Sequence, residues 1–504
     1  MPKITNNTRI RQYITEFEEK VFSSDGTILF CKFCETKINT DRRYLVTQHL
    51  KTEKHKSAEK RKQDQMKNKS QQLVGTAMTS KKSSFNHDLC NTLLSANIPL
   101  NKLNNPKFRE FLLKYTGKDI PFESTLRKGY VDDVYNQTLN KIRMYVDGKK
   151  IWVSIDETTD VTGRFVANVI IGTLEEHGPG QIFLLNVEEL EKANHSTIFK
   201  LFDKSMNILW PDGVKHDDVL LFLSDAAPYM FNKNIVLKND TTCLAHGLHR
   251  VAETVRILNP KVDKIIANVK KIFNKAPSRV QIFKDIAPLL PLPPEPVLTR
   301  WGTWIQAALY YCEHFETVKS IVNSFKKDDA ISIETAQKYI EQQHIQTQLV
   351  FIKSNFSFLP NAITCLEKQE MSLASSISIV EDAKIKLTQI NGAQGTAVKT
   401  KIETVLGKNE GYKLMVKISN ILSGDQENFE GLPEDLKLND LVYFKYAPIT
   451  SVDVERSFSI YKNMLTNNRR AFKFDNIRKC LIVQSNFTGE EEENEIEHQS
   501  NSLI

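Results

Sequence analysis

What this chain lacks narrows it first. No apolar core of a signal peptide follows the start MPKITNNTRIRQYITEFEEK, and the longest apolar runs, such as IAPLLPLPPEPVL, are short and broken by proline. Neither secretion nor a membrane span is expected. There is no G-x-x-x-x-G-K-[ST] loop, no G-x-G-x-x-G turn and no H-E-x-x-H helix. Nucleotide-driven motors, dinucleotide enzymes and that class of zinc protease are thereby set aside, and no nucleotide cofactor is expected. Cysteines number seven in 504 residues, an odd count, and apart from Cys31 and Cys34 they lie far apart. The spacing predicts reduced thiols in an intracellular protein, not a disulfide framework. With 40% hydrophobic residues the chain can still bury a large core, and its length favours about two to four domains.

What is present begins with Cys31 and Cys34 in CKFC and His49 and His55 in QHLKTEKH, a C-x2-C-x14-H-x5-H array. Two close Cys and two His a few residues apart can close a tetrahedral zinc site when a hairpin folds back on a helix. Six residues at 3.6 per turn put His55 roughly 240° beyond a full turn from His49, so the helix must end or distort between them. Chance placement in a small core is the bland alternative. Residues 1–80 hold 16 Lys/Arg against 9 Asp/Glu, a surplus that accounts for the whole formal charge of +7. A basic module with a zinc array fits a phosphate-binding arm, because cations set against phosphates release condensed counterions. In it GTILFCKFCETKI reads as the hairpin and TDRRYLVTQHLKTEKH as the helix, capped by Thr40 or Asp41. Arg42, Arg43, Gln48 and Lys51 then lie on the part that finger helices insert into the major groove.

The expected organisation is a zinc finger at 1–60, a basic linker at 61–85 with a KRK cluster for nuclear import, and a small helical domain at 86–148. Lys150 starts a change of period: KIWVSIDETTD, RFVANVIIGTLEE and GQIFLLNVEEL read as sequential strands, HSTIFKLFDKSMNIL as a helix, and DDVLLFLSD as a buried strand ending in an acid. An α/β sheet spanning 149–300 is predicted, then a helical insertion at 301–440, a closing block at 441–488 and an acidic, disordered tail at 489–504. Asp156 and Asp225 each follow a predicted buried strand, where open α/β sheets bind ligands. Paired carboxylates repel unless a cation or proton sits between them, and Mg2+ would answer that; strand-end or helix-cap roles are the alternative.

FLSDAAPYM, TTCLAHGLHRV, LTRWGTWIQAALYY and YAPITSVDVERSFSIYKNMLTNNRRAF resemble the hAT superfamily of cut-and-paste DNA transposases and host proteins derived from them, across most of residues 86–486. The finger is similar to BED-type fingers and to the N-terminal module of CGG-repeat-binding proteins related to such elements. The resemblance implies an RNase H-like core interrupted by an all-α insertion, preceded by a small helical domain and a ββα finger. It implies a DDE-type transposase in which Asp156, Asp225 and Glu455 hold Mg2+ or Mn2+ for cleavage, flanking-hairpin formation and strand transfer, with structural Zn2+ in the finger. Asp160 and Glu157 rank as bystanders. It also implies DNA contacts from Cys243, His246, Arg300 and Trp301, for which core packing is the alternative at Cys243, His246 and Trp301. The expected partners are double-stranded DNA, as terminal repeats and target, and a second copy of the chain, joined through the closing block and residues 86–148. The expected location is the nucleus. A DNA-binding regulator that keeps the fold without the catalysis is the second reading.

Overall fold

The computed structural model describes residues 6–17, 21–24, 28–34, 36–59, 82–192, 194–224, 240–297, 300, 302–425, 429–434, 436–465 and 473–486. The KRK cluster and residues 61–81 of the basic linker, the acidic tail, and the residues Asp225 and Trp301 lie outside them. Two compact units are formed, Met1–Lys82 and Ser83–Ile504.

The first unit opens with α1 (Asn6–Glu16), followed by β1 (Phe22–Ser24), β2 (Leu29–Cys31), β3 (Thr36–Ile38) and α2 (Arg43–Lys51). Ile10, Tyr13 and Ile14 recur at helical spacing and, with Phe17 just after the helix, put one face of α1 in the core with Phe22, Leu29, Ile38 and Val46. The strands pair antiparallel in the order β1-β2-β3. The sequence reading placed a hairpin and a helix here; α1 and β1 are additional, and they supply much of this small core.

The second unit begins with α3 (Ser84–Ser95), α4 (Pro106–Thr116), α5 (Glu123–Gly129) and α6 (Val131–Val146). A five-stranded sheet follows, built from β4 (Lys150–Thr159), β5 (Phe165–Leu174), β6 (Pro179–Leu190), β7 (Val219–Ser224) and β8 (Asp240–Thr242), in the order β6-β5-β4-β7-β8. β4, β5 and β6 form an antiparallel meander, after which α7 (His195–Leu209) returns the chain so that β7 and β8 run parallel to β4. VLLFLS is buried at every position, as a strand covered on both faces requires. Gly172 faces Trp152 across the β4–β5 ladder, and a Cβ there would lie 2.3 Å from the indole. That position has no room for a side chain.

From α8 (Leu244–Leu258) and α9 (Pro260–Phe273) to Leu422 the regular structure is helical, including α10 (Gly302–Glu313). The chain then rejoins the sheet through α11 (Val452–Met464) and α12 (Phe474–Ser485). α11 packs on β4 and β5, and α12 packs on β6, α3 and α6. The ion pair of Lys479 with Asp132 at 2.7 Å and the two-way bonding of the Asn486 side chain to the Leu184 backbone, at 3.0 and 2.9 Å, fasten α12. The association of the closing block with residues 86–148, expected between copies, is thus made within one chain. Within the chain α12 buries Ile477, Leu481, Ile482 and Val483.

Candidate zinc centre and the cluster around Glu455

The zinc array is brought together. Cys31 ends β2 and Cys34 stands in the turn before β3, while His49 lies in the last turn of α2. One donor atom from each of Cys31, Cys34, His49 and His55 lies within 4.8 Å of every other. His55 Nδ1 is 3.4 Å from each sulfur and 3.2 Å from His49 Nε2. Zinc bonds of about 2.0–2.3 Å in a tetrahedron require donors about 3.3–3.8 Å apart, so these residues fit the ion in number, type and spacing. Burial, reinforced by Cys31, pushes the Cys34 thiol up to about 11, and burial holds His49 and His55 below the usual imidazole value. Bound Zn2+ would reverse the first effect, since a coordinating thiol is deprotonated outright.

The six-residue His spacing is met by a break. α2 ends at Lys51, and Thr52 takes an extended conformation, φ −67° and ψ 143°, before helix resumes at residue 53. Thr52 Oγ1 accepts from the amide of His55 at 3.3 Å and donates to the carbonyl of His49 at 2.8 Å. One hydroxyl therefore spans both histidines and caps the segment that carries the second. This residue escaped the sequence reading, although a Thr just before a helical run is a cap candidate. The start of α2 is a correction. Arg42 occupies the cap position without a side-chain bond, because Asp41 is drawn back into a turn, its amide donating to Asn39 Oδ1 at 2.8 Å.

Of the expected groove residues, Arg42, Gln48 and Lys51 are exposed. Arg43 is exposed too, but its Nε donates to Glu16 of α1 at 2.8 Å and its guanidinium lies 5.8 Å from the Phe17 ring centroid. It ties α1 to α2 in the unbound protein.

In the larger unit the acids have different surroundings. β4 does not end at Asp156: it continues to Thr159, with Asp156 opposite Asn168 of β5, and only the parallel pairing with β7 stops there, at Ile155 opposite Ser224. Asp156 Oδ1 accepts from the Glu157 amide at 2.8 Å. Asp160 is the buried acid of the group. It receives Thr162 and Arg164 from its own turn and the Tyr461 hydroxyl of α11 at 2.9 Å. Against the cost of burial, these donors hold its carboxyl well below the usual range. It joins the β4–β5 turn to α11, beside the bond of Asn168 Nδ2 to Ser457 Oγ at 2.7 Å.

Glu455 lies in the first turn of α11, after Ser451 at the cap position. No side-chain cap is made there: Ser451 donates its amide to Cys243 Sγ at 3.2 Å, and Thr450 Oγ1 reaches the Leu366 carbonyl at 3.4 Å. Glu455 Oε1 is 3.2 Å from His246 Nε2, and Oε2 is 3.2 Å from the Arg300 guanidinium. Next to this pair His249 accepts the Gly302 amide at Nδ1, 3.4 Å, and faces Glu367 with Nε2 at 3.5 Å. That contact, against burial and aided by Arg300 and Arg456, lowers the Glu367 carboxyl. The sequence reading passed over Glu367, whose neighbours come from elements distant in the chain.

Cys243 is fully buried, which withdraws it from the DNA contacts expected of it. Burial opposes ionisation of its thiol, yet His246 and the Ser451 amide bring it below its ordinary value. Its role is to join α8 to the loop before α11. Arg300 and His246 are partly exposed and are spent on Glu455.

Residues 1–61 match the family model described as the CGGBP1 N-terminal domain, and residues 76–133 match the CGGBP1 helical domain. The CGG triplet repeat-binding protein 1 of Homo sapiens is 31% identical over 156 residues, 28% of this chain and 93% of that protein. Its counterpart from Mus musculus is 28% identical over 155 residues, with the same coverage. Both relatives are named for binding CGG triplet repeats, not for cutting or joining DNA. This overturns the expectation of a Mg2+-dependent DDE-type transposase acting through Asp156, Asp225 and Glu455. In the structure the two oxygens of Glu455 face His246 and Arg300.

Proposed function

Because this chain belongs to the CGG triplet repeat-binding protein family, we propose that it is a sequence-specific DNA-binding regulator that holds duplex DNA through its zinc-bearing first unit. The observation that carries the reading is the convergence of Cys31, Cys34, His49 and His55 within 4.8 Å, inside the segment that matches the family's N-terminal domain. Zn2+ would be held by those four side chains and would fix α2 against the three-stranded sheet. Arg42, Gln48 and Lys51 are then the side chains offered to the groove and its phosphates, with Arg43 joining them on release from Glu16. The 7-charge surplus of residues 1–80 supports phosphate contact.

We read the second unit as an RNase H-like core split by a helical insertion and descended from an hAT-type transposase, retained as a scaffold. The antiparallel meander continued by two parallel strands and the return of α11 to β4 and β5 support that reading. Nuclear residence and self-association belong to the same proposal. The test is duplex binding by zinc-loaded and zinc-stripped protein, on a CGG-repeat duplex and a composition-matched scrambled one. A preference that depends on zinc is the expected result; equal binding of both duplexes rejects the reading.

A further inference from the structure

We propose that α4 presents a second nucleic-acid surface, one that takes single-stranded DNA by stacking bases on Phe111 and Tyr115. Both aromatics are largely in water, 56% and 68% exposed, and α4 has no buried residue. At i and i+4 they share one face, with ring centroids 4.9 Å apart. Lys107, four residues before Phe111, and Lys114, whose ammonium lies 5.2 Å from the Tyr115 ring, line the same face.

The helix is held rigidly for a surface element. Asn105 caps its start through the amides of Lys107 and Phe108, and Gly117 ends it at φ 63°. Phe108 and Leu112 turn toward the core. Arg109 pins the opposite side by donating to the carbonyls of Leu103 and Pro121, at 3.2 and 2.9 Å, while lying over Phe122 at 4.1 Å. The backbone that carries the exposed aromatics is therefore fixed at both ends.

Charge selects the occupant. Residues 102–118 hold five Lys/Arg and one acid, Glu110; Arg109 is turned to the opposite side, Lys107 pairs with Glu110 at 3.1 Å, and Lys102, Lys114 and Lys118 remain. The cores of protein–protein interfaces are poor in lysine, whereas aromatic faces between cations are how unpaired bases and their phosphates are held without regard to sequence. Duplex DNA keeps its base faces stacked, so the strip favours a single strand.

This inference is independent of the zinc reading. The test titrates zinc-loaded full-length protein into a fluorescein-labelled mixed-sequence 20-nucleotide single strand and, separately, its duplex. The double variant F111A/Y115A is expected to lose about tenfold or more in single-strand affinity, with duplex affinity within about twofold and an unchanged melting temperature. Phe111→Tyr with Tyr115→Phe is expected to restore single-strand binding, and chelation to leave most of it. Wild-type single-strand affinity in F111A/Y115A overturns the proposal. So does a variant that binds the strand normally but no longer self-associates in light scattering, which would make the face a protein interface.

Discussion

The hydroxyl of Thr52 accepts the backbone amide of His55 at 3.3 Å, at the residue that interrupts the described helical run from Arg43 to residue 59. The fourth zinc donor is thus aimed by a cap and not by helix continuity. Thr52→Ala is expected to cost about 0.5–2 kcal/mol at this cap, a loss of about 2- to 30-fold in zinc affinity. Competition with a chromogenic chelator measures it, and Thr52→Ser should recover the wild-type value. Unchanged affinity in Thr52→Ala would mean that the sulfurs and His49 position the ion unaided.

Asp160 and Tyr461 join sequence positions 301 residues apart. Tyr461→Phe removes one hydrogen bond to a buried carboxylate and should destabilise the second unit by about 1.5–3 kcal/mol; Asp160→Ala strands Arg164 and should cost about 3–5 kcal/mol. The folded carboxyl is depressed, so its stabilising effect is complete above the unfolded value of about 3.9 and fades as pH falls toward the folded one. Urea melts of wild type and Asp160→Asn should therefore differ by a constant amount between about pH 7 and 5 and converge in stronger acid. A gap that widens on acidification would contradict this assignment.

The acids once read as catalytic are not part of the duplex-binding surface in this account. Asp156→Ala and Glu455→Gln should each bind duplex DNA within about twofold of wild type by fluorescence anisotropy. Arg42→Ala and Lys51→Ala should weaken binding and each reduce the slope of log K against log salt by about 1. A tenfold loss in Glu455→Gln would place the Glu455 cluster in the interface.

The Cys2His2 group was legible because its chemistry is written in spacing: two Cys three positions apart and one His pair too far apart for one helix face told both the four residues and the interruption. The strands of the larger unit were legible for a similar reason, as continuous apolar runs such as VLLFLS announce burial on both faces. Features set by distant partners were not. The extension of β4 past Asp156 is set by its antiparallel partner β5, not by its own residues. The burial of Cys243 depends on α11, more than 200 residues later. The joining of Glu455 to His246 and Arg300 needs three distant segments, and the motif that located them carried an expectation of catalysis that the family's repeat-binding relatives overturn.

The central claim is that zinc organises a DNA-reading unit. Its most direct measurement is the affinity of full-length protein for a CGG-repeat duplex at fixed salt, before chelation, after chelation and after zinc is restored. A loss of about tenfold or more on chelation is expected, recovered by zinc, with Cys34→Ser locked in the low-affinity state and the melting of the second unit unaltered. Equal affinity in all three conditions would contradict it.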